Sequence, residues 1–274
     1  MRLIDLNHLG RERVIGSTLI DGVLVDPGPA SCLDALLAGL DGEVPRVIAL
    51  THIHLDHAGA TGALCRRWPD VEVWVHERGA PHLEDPSKLI ASATRLYGDD
   101  MQRLWGEITP VPREAIRVVS DQRIEGFRVA ETPGHASHHV AYLHEATGTL
   151  FAGDTAGVRI GDAPTIAPTP PPDIDLEAWN ASLDLLASWD AERVVPTHFG
   201  VFDDVAGQLD AVRLWLDTWA RPAAELEMEA WVDEHQAWVA ARTDPDTAGA
   251  LLQAAPIDQC WLGLRRYWSK REGR

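Results

Sequence analysis

Thr51-His52-Ile53-His54-Leu55-Asp56-His57-Ala58-Gly59 is the stretch around which this chain is organised. It places four metal-ligating side chains, His52, His54, Asp56 and His57, within six consecutive positions. The apolar run Val47-Ile48-Ala49-Leu50 leads into it and reads as a buried strand. His52 and His54 are two residues apart, so on an extended backbone both side chains point the same way and can reach one ion. At Asp56 and His57 the chain must turn, which lets their side chains face a second ion. Such a loop at the carboxyl end of a strand predicts a metal site, with further ligands, walls and a cover supplied by the rest of the chain.

Working outward, residues 13–26 read as a hairpin. Val14-Ile15 and Thr18-Leu19-Ile20 precede the two-residue turn Asp21-Gly22, Val23-Leu24-Val25 follows it, and Asp26-Pro27-Gly28 closes it. Ser31 is the expected N-cap of an amphipathic helix through Leu40. Ala58 to Arg67 reads as a helix and Val71 to Val75 as the next strand. This β-α-β alternation predicts a sheet with covering helices. Residues 79–113 break the rhythm: Lys88 to Trp105 is helically patterned, with Pro81, Pro86, Pro110 and Pro112 around it. We read this as an insertion that can lie over the site as a lid. Short strands return at 116–130 and 138–151, turning at Gly126 and at Thr147-Gly148. Five prolines between Pro164 and Pro172 exclude regular structure there and leave a stiff wall or a linker. A helix from Asp175 to Ser188 and a strand at Arg193-Val194-Val195 complete a catalytic domain over residues 1–202. Residues 203–274 are helical in character. Trp215 and Trp219 are four apart, and Trp231/Trp238 and Trp261/Trp268 seven apart, which puts each pair on one helix face. These stripes predict packing on the catalytic domain or on a second copy, giving a homodimer through the tryptophan-rich helices.

A single loop rarely completes a two-ion site, so other strand ends should contribute. His135 lies in Thr132-Pro133-Gly134-His135, Asp154 in Ala152-Gly153-Asp154-Thr155 and His198 in Pro196-Thr197-His198, each after a short apolar run. With the first loop they make seven ligands and no cysteine, a set that suits Zn²⁺, Fe or Mn²⁺. A carboxylate can span two cations, whereas an imidazole normally binds one. His138 and His139 follow His135 closely, and His138 is a candidate for supporting a ligand or touching substrate. His76 stands at a strand end near the site edge. His8, His82, His144 and His235 read as structural or surface residues.

Composition narrows the function. At 274 residues, 45% hydrophobic and 24% charged, the chain can bury a sizeable core. A net charge of −18 disfavours nucleic acid as a partner. The one basic stretch, Arg265-Arg266 with Lys270, Arg271 and Arg274, reads as a solvated end. Cys32, Cys65 and Cys260 are widely spaced and odd in number, with no Cys-x-x-Cys, which argues against a disulfide framework or a thiolate zinc knuckle. No apolar run is long enough to span a membrane, and the first residues lack the apolar core of a secretory signal, so a cytoplasmic protein is expected.

The four motifs, in their order and spacing, resemble the metallo-β-lactamase superfamily, in the branch of hydrolases related to glyoxalase II and lactonases. The resemblance covers about the first 200 residues. It implies an α+β fold, a four-layer αβ/βα sandwich with metals at one edge, here with a helical C-terminal extension. It implies that His52, His54 and His135 hold one ion, that Asp56, His57 and His198 hold the other, and that Asp154 bridges them. The implied cofactors are two divalent ions, Zn²⁺ first, with Fe or Mn as alternatives. The implied reaction is hydrolysis of an ester, thioester or lactone of a small molecule by a metal-bridging hydroxide, with Asp56 orienting that nucleophile. Two departures separate the chain from a dedicated glutathione thioesterase: Asp154-Thr155 continues as Ala156-Gly157, not Leu-Phe, and the last histidine sits in Pro-Thr-His-Phe, not Cys-Gly-His-Glu. Two other functions use the same scaffold: a mononuclear iron persulfide dioxygenase, and a non-catalytic metal-binding or regulatory protein.

Overall fold

The structure, a computed structural model, describes residues 1–273; Arg274 of the basic tail lies outside the described residues. The chain forms two compact units, Met1–Glu131 and a second that begins at Thr132.

The first unit is built on a six-stranded sheet that runs in sequence order. Its strands are β1 (Arg2–Asp5), β2 (Gly16–Ile20), β3 (Val23–Val25), β4 (Val47–Ala49), β5 (Glu72–His76) and β6 (Ile116–Val119). β1, β2 and β3 pair antiparallel, and β3 to β6 pair parallel. The β2–β3 turn has Asp21 at φ 47° and Gly22 at φ 76°, the positive pair a two-residue hairpin turn needs. Parallel neighbours need crossovers, and these supply the helices. α1 (Leu33–Leu40) links β3 to β4. α2 (Leu55–Ala58) and α3 (Thr61–Arg67) link β4 to β5. α4 (Ala80–Glu84), α5 (Ser87–Tyr97) and α6 (Met101–Trp105) link β5 to β6. β3 and β4 are buried throughout, as befits strands covered on both faces. Because β3, β4 and β5 are parallel neighbours, their carboxyl ends share one edge. Asp26, the Thr51–Gly59 loop and His76 are delivered there. The hairpin of β7 (Gln122–Ile124) and β8 (Phe127–Glu131) ends the unit.

Two local expectations are corrected. Ser31 does not cap α1: Ala30–Cys32 is a 3₁₀ turn, and the Ser31 hydroxyl donates to the Leu104 carbonyl at 2.6 Å. The helix expected from Ala58 is split into α2 and α3. The Ala60 N–H donates to the Gly28 carbonyl (2.8 Å) and so leaves the helical ladder between them.

In the second unit, β9 (Val140–His144) pairs antiparallel with β10 (Thr149–Phe151), and β10 pairs parallel with β11 (Arg193–Val195). α7 (Leu176–Ala187) lies between β10 and β11 in the chain, and the Asp175 carboxylate caps it by accepting from the Ala178 N–H. Residues 164–172 carry no helix or strand, as the prolines dictate. Five helices follow: α8 (Val205–Trp219), α9 (Pro222–Glu225), α10 (Met228–Ala240), α11 (Pro245–Ala254) and α12 (Ile257–Arg271). Trp215, Trp219 and Trp231 are buried and converge with the half-buried Trp238 on the His235 ring, at centroid distances of 4.7–5.6 Å. Trp261 and Trp268 lie half-buried, with their indole N–H groups donating to the Leu226 and Ala220 carbonyls. Two mixed sheets with flanking helices make the fold α+β. Among the described residues no helix is long and apolar enough to cross a membrane.

Candidate metal centre

In the first unit the Thr51–Gly59 loop is strapped by one buried carboxylate. Asp26 follows β3, and its N–H extends the ladder to the Ala49 carbonyl (3.0 Å). Its side chain accepts from the Thr51 N–H (2.8 Å), the Thr51 hydroxyl (2.7 Å) and His57 Nδ1 (2.8 Å). The start of the loop and the helical turn at its end are thereby tied to a single group. Because Nδ1 of His57 donates to a carboxylate, the proton sits there and Nε2 presents a lone pair. That nitrogen lies 3.7 Å from Asp56 Oδ2. The Thr51 hydroxyl has given its hydrogen to Asp26, so its oxygen accepts from His52 Nδ1 at 3.1 Å. The lone pair of His52 Nε2 then faces His54 Nδ1 at 3.0 Å. His52 and His57 are fully buried, with rings 4.0 Å apart, while His54 and Asp56 are partly open.

In the second unit three loops converge on Asp154. His135 donates from Nδ1 to the Pro168 carbonyl (2.8 Å), which leaves its Nε2 lone pair 3.3 Å from Asp154 Oδ2. His198 Nε2 lies 3.7 Å from Asp154 Oδ1. One carboxylate thus has an imidazole nitrogen on each oxygen, and all three side chains are buried. A lone pair aimed at a carboxylate is repulsive unless a cation lies between them. The donor set in each unit therefore fits divalent metal, with nitrogen and oxygen ligands and no thiolate.

Helix α7 backs these loops. Gly134 has φ 144°, and a Cβ there would stand 2.4 Å from Cα of Trp179, so only glycine fits. Trp179 packs edge-on to the His135 ring and donates from Nε1 to the Thr155 carbonyl (3.0 Å). Ser182 donates to the Pro133 carbonyl (2.7 Å). The loop that holds His135 is in turn pinned by α12: Thr169 donates to the Cys260 carbonyl (3.0 Å), and Gly263 lets the Thr169 carbonyl approach.

Two supporting residues escaped the sequence reading. Asp26 looked like the closing residue of a turn, and only the pairing of β3 with β4 brings it to Thr51 and His57. His139 is the second. It is buried, and its Nδ1 lies 2.8 Å from Thr132 Oγ1 and 3.3 Å from Thr155 Oγ1, linking the His135 and Asp154 motifs. His138 is half-buried in the same turn. His76 is a framework residue: Nδ1 accepts from the Arg78 N–H (3.0 Å), and Nε2 faces Glu131 at 3.3 Å.

Residues 14–198, well over half of the chain, match the family model of the Metallo-beta-lactamase superfamily. The chain belongs to that superfamily. Its fold is shared with a metallo-beta-lactamase superfamily protein from the archaeon Sulfolobus tokodaii, at a TM-score of 0.74 and 24% identity, covering 96% of this chain and 97% of that one. A second solved structure, of a protein in a di-iron-bound form, is 29% identical with a TM-score of 0.58, covering 73% of this chain and 94% of the other. Among curated sequences, a hydroxyacylglutathione hydrolase of Xanthomonas euvesicatoria pv. vesicatoria is 32% identical over 161 residues, 57% of this chain and 50% of that protein. One of Xylella fastidiosa (strain M12) is 32% identical over 157 residues, 57% of this chain and 49% of that protein. The chain spans about half the length of these curated relatives.

Proposed function

We propose that this superfamily member is a two-metal hydrolase acting on an ester, thioester or lactone bond of a small molecule. In this reading His52, His54 and His135 hold one ion, Asp56, His57 and His198 hold the other, and Asp154 spans both. The observation that carries it is the pair of imidazole nitrogens facing the two oxygens of Asp154. Such ions acidify water and polarise a carbonyl oxygen. The protein's own groups do the rest. Asp26 and the Pro168 carbonyl fix the tautomers of His57 and His135, so that each offers Nε2. Asp56, the one partly open carboxylate in the loop, accepts a proton from the attacking water and keeps it oriented. The name of the curated relatives supports thioesters as one substrate class.

The test is metal analysis of the purified protein together with a panel of S-acyl thiols, aryl esters and lactones. Two divalent ions per chain, with turnover that is lost on chelation and restored by Zn²⁺, Fe²⁺ or Mn²⁺, is the expected result. A fully metal-loaded protein with no turnover across the panel, or one tightly bound iron without hydrolysis, refutes the reading. Asp56→Asn should lower both metal content and turnover; unchanged metal content and turnover would remove Asp56 from the site.

A further inference from the structure

Arg159 is a positioned cation that neither the fold nor the metal ligands account for. It lies in the irregular segment after Asp154, and its backbone is bonded to the segment of the last ligand in both directions. Its N–H donates to the His198 carbonyl (2.7 Å), and its carbonyl accepts from the Phe199 N–H (2.9 Å). The guanidinium is thereby carried on a backbone tethered directly to His198. The side chain is then held by three neighbours. The guanidinium carbon sits 4.2 Å from the centre of the Phe202 ring. Nε donates to the Gly161 carbonyl (3.1 Å) and Nη1 to Gln208 Oε1 (3.3 Å). Gln208 is fully buried, and its Nε2 donates to the Ala156 carbonyl (2.6 Å), which settles the amide's orientation and turns its oxygen to the arginine.

All of these partners are neutral. Among the described residues no carboxylate pairs with Arg159, in a chain with 42 acidic and 24 basic side chains. Its half-buried counterpart Arg213 behaves differently, pairing with Asp184 at 2.7 Å. A guanidinium stays charged at every relevant pH, and partial burial without a counter-charge is unfavourable. Five N–H donors are available and two are engaged, so the planar fork retains donors for a bidentate acceptor.

We infer that Arg159 binds a carboxylate carried by the substrate, beside His198. The inference rests on the hydrolase reading and deepens it: the substrate class narrows to small acyl compounds that bear a carboxylate away from the scissile bond. Arg159 then acts as a specificity residue, reading the charge of the substrate and leaving the reacting carbonyl to other groups.

The experiment uses the metal-loaded full chain and three thioesters: a neutral parent, one with a carboxylate on the leaving thiol and one with a carboxylate on the acyl chain. Arg159→Gln should lower kcat/KM for a carboxylated substrate by about 10- to 100-fold, mainly through KM, and leave the neutral parent within about twofold. Arg159→Lys should recover part of the loss, and metal content should match the wild type in both variants. Equal losses on all three thioesters, or no loss on any, overturn the inference. If the wild type hydrolyses none of them, thioesters are removed from the hydrolase reading and Arg159 is judged by binding alone, with glutarate as the probe. Calorimetric binding to the metal-loaded wild type that weakens at least about tenfold in Arg159→Gln supports the carboxylate site. Equal binding to both proteins, or binding to neither, overturns it.

Discussion

Replacing His235 with Phe should change how stability depends on pH. His235 is fully buried among Trp215, Trp219, Trp231 and Trp238, and burial pushes its pKa down from 6.5 to about 4. Its Nε2 accepts from Trp215 Nε1 at 2.8 Å, which the neutral ring alone can do. The folded pKa lies below the unfolded one. As pH falls through the window from 6.5 to about 4, the unfolded chain therefore gains a proton that the folded chain refuses, and stability is lost. Above the window this group contributes no pH dependence. The full loss is about 3 kcal/mol, of which about 2 kcal/mol has gone by pH 5. Phe cannot titrate, but it leaves the Trp215 N–H without an acceptor, which costs about 1–3 kcal/mol. The wild type should therefore be the more stable protein at pH 8, and the two should be near parity at pH 5. The assay is urea unfolding followed by tryptophan fluorescence, with metal removed from both proteins so that the histidines of the candidate metal centre contribute equally and cancel in the difference. Curves that run parallel from pH 8 to pH 5 would refute the reasoning.

Other perturbations test the metal centre and its supports. Asp26→Asn takes the carboxylate away from the Thr51 N–H, the Thr51 hydroxyl and His57 Nδ1, and should weaken metal binding by about 10- to 100-fold in a chelator competition. Asp154→Asn should lower metal content, measured by elemental analysis, and remove the rise in Tm that metal gives the wild type. Gly134→Ala drives a Cβ to 2.4 Å from Cα of Trp179 and should destabilise the fold by about 2–4 kcal/mol, read by denaturant unfolding; wild-type stability would show that α7 moves freely.

The features legible in the sequence are those written in consecutive residues. The Thr51–Gly59 loop announces itself because residue types able to bind metal crowd behind an apolar strand, and that strand is β4. The Asp21-Gly22 turn is legible because two positive φ values demand those residue types. Illegible features depend on partners far along the chain. Asp26 is 25 residues from Thr51 and 31 from His57, so nothing near it in sequence marks it as the strap of the site. His138 and His139 cannot be ranked by position, since which of them faces Thr132 and Thr155 is set by the turn and by packing against the Asp154 loop. Ser31 has the composition of a helix cap, but a carbonyl 73 residues away wins its hydrogen. Arg159 looks like any arginine until its lack of a carboxylate becomes visible.

The proline-rich segment at 164–172 has a consequence for how this protein could diversify. Adjacent residues of it serve two masters, since Pro168 holds the His135 ring while Thr169 is fastened to α12 through Cys260 and lies against Gly263. A Cβ at residue 263 would stand 1.9 Å from the Thr169 oxygen. The terminal helices are therefore poor candidates for exchange as a cassette between relatives, because a donor helix without a small residue at that position would be felt one peptide away from the carbonyl that holds His135. Lineages that remodel this end of the chain must either keep the notch at 263 or rebuild the His135 support with it.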